Sequence, residues 1–224
     1  MKQRNNNKAF FVIAMGLRTM SALCVTGPIM QTFLASIGFS SQMIYIHTTI
    51  VQMINVLTIS LCSTWADRGD VIKRTAVIEI PYALLYMLYL PLCISKSPTL
   101  LTFCLLTGIC LLQSVCVALR TVCEYKLPYY IFSPKEYGSA LSVGGIVGGL
   151  ISLGTGVLIT ELAGRLPYAT IMLYACLASM VLMAVSVLLH FGMKPNSDAP
   201  QSISASKQMK TGQLAVFSYP LFRR

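Results

Sequence analysis

The chain has 224 residues, 55% of them hydrophobic and 11% charged, with a mean hydropathy of +0.70. Soluble domains carry about 25% charged residues, so a water-soluble fold is excluded. The formal charge of +10 comes from 17 Lys and Arg against 7 Asp and Glu, but these bases stand in short stretches between apolar blocks. That placement fits membrane orientation and argues against a nucleic-acid partner.

The first apolar block, 10–33, follows a basic start of Lys2, Arg4 and Lys8. Arg18 interrupts it and no A-x-A site follows, so the block reads as a retained helix and not a cleaved signal peptide. Arg18 lies roughly 12 Å along that helix. There it meets an anionic solute or a carboxylate partner, or it snorkels back to the headgroups. A tight turn, G-F-S-S at 38–41, leads to the second block, 42–65. Thr48, Gln52 and Asn55 recur there at i, i+4 and i+7, a polar stripe suited to a water-filled cavity or to interhelical hydrogen bonds. The third block is 75–94; Glu79 stands about a turn inside it and is expected to pair at the interface with Lys73 or Arg74.

The turn S-K-S-P at 95–98 opens the fourth block, 100–119. Gln113 and Arg120 are seven apart, hence on one face, and Arg120 and Glu124 have the spacing of a helical ion pair. The fifth block, 138–162, carries overlapping G-x-x-x-G patterns, Gly144/Gly148 and Gly145/Gly149, which let a neighbouring helix approach closely. G-R-L-P at 164–167 turns into the sixth block, 168–191. Beyond it, 194–224 reads as a polar, Pro/Ser-rich cytoplasmic linker. Its apolar end approaches a seventh helix or lies on the anionic leaflet.

Six blocks of about 20 residues each define an all-α, polytopic membrane protein, a six-helix bundle over residues 1–193 embedded in a lipid bilayer. With the N-terminus inside, fourteen Lys and Arg fall on the inner side and only Lys96 and Arg165 on the outer side, which places both termini in the cytoplasm. No carboxylate sits in mid-span, so proton coupling through this bundle is not expected. The eight cysteines are scattered with no C-x-x-C pair, and His47 and His190 lack ligand-like spacing, so no metal site is expected. No P-loop, H-E-x-x-H or nucleophile elbow occurs; the chain does not read as an enzyme and implies no cofactor.

Between the second and third blocks the chain reads S-T-W-A-D-R-G-D-V-I-K-R (63–74), and before the fifth block P-K-E-Y-G-S-A (134–140). The first is similar to the G-x-x-A-D-R-x-G-R-K loop of the major facilitator superfamily. Ala66, Asp67 and Arg68 match; Ser63 and Asp70 stand where the family has Gly, and the basic pair arrives late as Lys73 and Arg74. The second resembles the P-x-E-x-x-G-x-A entry to helix five, one residue shorter, and P-L-F-R-R at 220–224 resembles the basic lead-in to helix seven.

The resemblance implies the N-terminal six-helix half of a twelve-helix transporter. Such a protein moves a small solute by rocking two bundles about a midplane site. Arg18, Thr48, Gln52, Asn55 and Gln113 would line this half's wall. Asp67, Arg68, Lys73 and Arg74 would form a cytoplasmic latch, or simply a solvated positive loop. The expected partner is a second six-helix half, or a second copy of the chain, in the cell membrane. The alternative is a six-span protein that does not transport, such as an assembly factor or an interrupted product.

Overall fold

A computed structural model describes residues 2–25, 28–63, 65, 70–95 and 98–196. Among these it has seven α-helices: α1 (Lys2–Val25), α2 (Pro28–Ser36), α3 (Ser41–Cys62), α4 (Val71–Ser95), α5 (Leu100–Ile131), α6 (Pro134–Ala163) and α7 (Tyr168–Gly192). The stretch 6–36, through α1 and α2, supplies one membrane span and the other five helices one each, six in all by length and composition.

Local chemistry accounts for the helix boundaries. α2 ends in a Schellman turn: Gly38 N–H donates to the Ala35 carbonyl and Phe39 N–H to the Leu34 carbonyl, both at 3.1 Å. Gly38 sits at φ 101°, where a side chain would be strained. The Ser40 hydroxyl accepts from Met43 N–H to start α3, and the Thr99 hydroxyl from Thr102 N–H to start α5. Asp70 Oδ1 accepts from Ile72 and Lys73 N–H at 3.0 and 3.2 Å, capping α4. At α6 the Ser133 hydroxyl donates to Glu136 Oε2 at 2.8 Å.

The fourth span corrects the sequence-based boundary. α5 runs to Ile131, twelve residues beyond the expected end at 119. Arg120 pairs with Glu124, and Glu124 with Arg18 of α1, so the helix carries both charges onward. Arg120 is therefore a buried residue of α5 and not a loop cation.

Neighbouring helices form a continuous chain of contacts: α3 against α5, α5 against α4, α4 against α7, α7 against α1, and α1 against α6. Two apolar clusters fill the interior. One gathers Tyr82, Tyr86 and Tyr89 of α4 with Phe33, Leu106, Met172 and Met183. The other gathers Phe11, Val71, Val122, Leu127 and Met193, with Phe11 edge-on to Phe132 at 5.4 Å. Asn7 ties the start of α1 to the end of α7: its Nδ2 donates to the Lys194 carbonyl at 2.8 Å, and its Oδ1 accepts from Lys194 N–H at 3.1 Å.

Half of the small-residue pattern faces a partner helix. A Cβ at Gly144 would meet Met15 of α1, and one at Gly148 would lie 3.8 Å from Thr19, so these two glycines let α6 and α1 approach. Gly145 and Gly149 have nothing within 4 Å and are exposed. Within the described bundle they meet no other helix, because positions one residue apart point about 100° away from Gly144 and Gly148 around α6.

Candidate functional site

A cavity of about 220 Å³ opens between α1, α2, α3, α4 and α5. The polar stripe on α3 forms one wall, because i, i+4 and i+7 positions share a helix face. Thr48, Gln52 and Asn55 all line it, and Gln113 and Arg120 line it from α5. Val25, Met30, Val51 and Val117 supply apolar surface between the polar groups.

Hydrogen bonds hold the walls in place. Asn55 Nδ2 donates to the Ser114 carbonyl at 3.4 Å, and the Ser114 hydroxyl donates to the Val51 carbonyl at 2.9 Å, joining α3 to α5 twice. His47 Nδ1 lies 3.0 Å from the Thr107 hydroxyl along the same seam. Gln31 Nε2 donates to the Thr48 hydroxyl, which itself donates to the Ile44 carbonyl at 2.9 Å. The Tyr89 hydroxyl donates to Gln113 Oε1 at 2.7 Å. Gln113 Nε2, on the same amide, is buried without a hydrogen-bond partner, and so is Arg120 Nη1.

Arg18 does not line this cavity. It is buried in a charge network behind the wall, where its Nη1 contacts Glu124 Oε1 of α5 and lies 3.4 Å from Glu79 Oε1 of α4. Its Nε donates to the Ala14 carbonyl at 3.2 Å. The expectation that Arg18 forms part of the solute wall is thus corrected: two carboxylates draw its guanidinium inward, and burial makes that pairing obligatory.

The expected interfacial pairing of Glu79 with Lys73 or Arg74 is also corrected. Glu79 is fully buried, and its Oε2 lies 3.1 Å from both the Ser186 hydroxyl and His190 Nδ1 of α7. His190 Nδ1 is 2.8 Å from the Ser186 carbonyl as well, so a proton on Nδ1 has two acceptors. Lys73 instead lies 3.8 Å from Asp70, and Arg74 donates to the Trp65 carbonyl while its guanidinium sits 4.8 Å from the Trp65 ring centroid. Asp67 and Arg68, the other two residues of the expected latch, lie outside the described residues.

The network ends at the cavity. Glu124 Oε1 is shared between Arg18 and Arg120, whose Nε stands 2.9 Å away without hydrogen-bond alignment. The Arg120 guanidinium lies 5.3 Å from the centroid of the Tyr82 ring. The Tyr86 hydroxyl donates to that of Tyr82 at 2.8 Å, and the Ser21 hydroxyl donates to Tyr86 at 3.0 Å. Four helices, α1, α4, α5 and α7, are therefore fastened through polar atoms inside an apolar bundle.

Sequence reasoning missed Glu79 and His190 as interior groups, though a signal existed. Glu79, Tyr82, Tyr86 and Tyr89 are spaced 3, 4 and 3 along α4, and Ser179, Ser186 and His190 repeat on one face of α7; all seven are buried. Polar groups at that period on otherwise apolar helices mark an inward face.

No curated protein and no solved structure matches the chain. The sequence model of the MFS_1 like family matches residues 18–220, nearly the whole chain. The chain belongs to the MFS_1 like family, whose members are transporter-type, multi-pass membrane proteins.

Proposed function

We propose that the chain moves a small solute across the cell membrane by alternating access. The observation that carries this reading is the cavity itself: Thr48, Gln52, Asn55, Gln113 and Arg120 converge on one space among helices that are otherwise apolar. Concave sites with a few convergent polar groups in apolar walls are the usual form of small-molecule sites. In transporters of this build such sites lie where two helical bundles meet. The bundle works against a second six-helix unit, in the same polypeptide, in another chain or as a second copy, with both described ends on the cytoplasmic side.

The test places a cysteine at Asn55 in the full chain, reconstituted in sealed vesicles, and supplies a membrane-impermeant thiol reagent from one side at a time. Labelling at position 55 is read from the mass of its peptide. Alternating access makes that position reactive from both sides. Reactivity from one side alone overturns the mechanism.

A further inference from the structure

We propose that the cavity accepts a small organic carboxylate, its anionic group held by Arg120 and a second, neutral acceptor taken by Gln113. This rests on the solute-cavity reading above and specifies its ligand. Both residues line the cavity, and both are deeply buried, Arg120 8% and Gln113 3% exposed. Arg120 Nη1 and Gln113 Nε2 have no hydrogen-bond partner. A buried donor left unmatched is costly, so both of these cavity-lining residues are short of acceptors where they stand.

The charge pattern gives the sign of the ligand. No Asp or Glu lines the cavity, while Glu79 and Glu124 lie behind its wall. The cluster thus presents a guanidinium forward and carboxylates to the rear. The Tyr82 ring, 5.3 Å from the guanidinium, helps fix where it points. A guanidinium is suited to a planar carboxylate, with which it can form paired N–H···O bonds. Arg18 and Arg120 already balance Glu79 and Glu124, so a singly charged carboxylate is accommodated at lower cost than a doubly charged phosphate.

Geometry gives the rest of the ligand. Gln113 and Arg120 are seven residues apart on α5, about 10 Å along the helix axis. They therefore address two different groups on one solute. Val25, Met30, Val51 and Val117 line the same space and suit an apolar body between those groups.

The experiment uses the full chain carrying Asn55→Cys in lipid nanodiscs, with labelling read at position 55. Anionic sulfonatoethyl methanethiosulfonate and cationic trimethylammonioethyl methanethiosulfonate are compared, each normalised to a free thiol. The anionic reagent is expected to react about tenfold faster, the lower end of what a charged cleft achieves. Arg120→Gln should abolish the preference and Arg120→Lys should keep it.

Protection then tests the ligand. The probe 6-oxoheptanoate should shield position 55 and its methyl ester should not. Heptanoate, which lacks the keto acceptor, should need about tenfold more for equal shielding, and Gln113→Leu should erase that difference. Equal rates for the two reagents, a preference that survives Arg120→Gln, no shielding by the carboxylate, or equal shielding by the ester each overturn the assignment. Reaction without charge preference leaves the solute cavity standing and removes the carboxylate. Failure of both reagents to reach position 55 removes the cavity reading as well.

Discussion

Replacing Glu79 with leucine should be among the most damaging single changes in the bundle, and its cost follows from its partners. The carboxylate lies 3.4 Å from Arg18 Nη1 and 3.1 Å from both the Ser186 hydroxyl and His190 Nδ1. Removing one partner of a buried ion pair costs about 3–5 kcal/mol, because the surviving charge stays buried. Glu79→Gln keeps the shape and one acceptor oxygen. Hydrogen bonds to a charged group exceed neutral ones by about 1 kcal/mol each, so three contacts place its cost at roughly 2–3 kcal/mol on the same principle.

With His190 neutral, Arg18 and Arg120 balance Glu79 and Glu124. Glu79→Leu leaves one net positive charge, Arg18→Met one net negative charge, and the double variant none. The double variant should therefore be more stable than either single one. Buried thiols supply the readout, since Cys93, Cys123 and Cys176 are shielded in the folded bundle and become reactive on unfolding. Thiol labelling along a titration of SDS into mild detergent gives the free-energy differences. A Glu79→Leu variant within about 1 kcal/mol of the parent, or a double variant as unstable as the two singles summed, would refute the network as a fastening.

The same titration checks smaller effects. Ser186→Ala removes one donor to the Glu79 carboxylate and should cost about 1.5–3 kcal/mol, less than the loss of Glu79 itself. Gly38→Ala places a side chain at φ 101° and should cost about 1–2 kcal/mol. Gly145→Ala enters open space on an exposed helix face and should be neutral or stabilising, by up to about 1 kcal/mol. Gly144→Leu drives a large side chain into Met15 of α1 and should cost about 1–3 kcal/mol. If the two glycine variants behave alike, the assignment of the α1–α6 contact to the Gly144 face is wrong.

The bundle was legible because length alone marks a membrane span: blocks of about 20 apolar residues have few other uses. Caps and turns around Ser40, Thr99 and Ser133 then followed short-range rules that a sequence displays directly. The end of α5 was not legible. Arg120, Glu124 and Lys126 look like a polar exit, and only the distant Arg18 and Glu79 make the first two compatible with an apolar interior. Arg18 lies 106 residues from Glu124 and 61 from Glu79 along the chain. The spacing of Glu79 with the tyrosines of α4 is local, but its pairing with Arg18 is not.

The cavity was legible for a related reason. Thr48, Gln52 and Asn55 sit on one helix, so periodicity alone brings them to a common face, and Gln113 with Arg120 does the same on α5. Arg18 misled because a lone cation in a span has two physical solutions, a solute or a buried carboxylate, and sequence does not choose between them. The choice lies with Glu124, whose single oxygen Oε1 serves both Arg18 and Arg120. Arg120 thereby belongs to two systems at once, lining the cavity and standing 2.9 Å from Glu124 in the fastening of four helices. An anion drawing Arg120 forward weakens its hold on Glu124 and leaves that carboxylate more fully to Arg18. On the proposed reading, occupancy of the cavity would be felt in the contacts among α1, α4, α5 and α7 through one guanidinium, the kind of differential contact by which a ligand shifts an arrangement of helices.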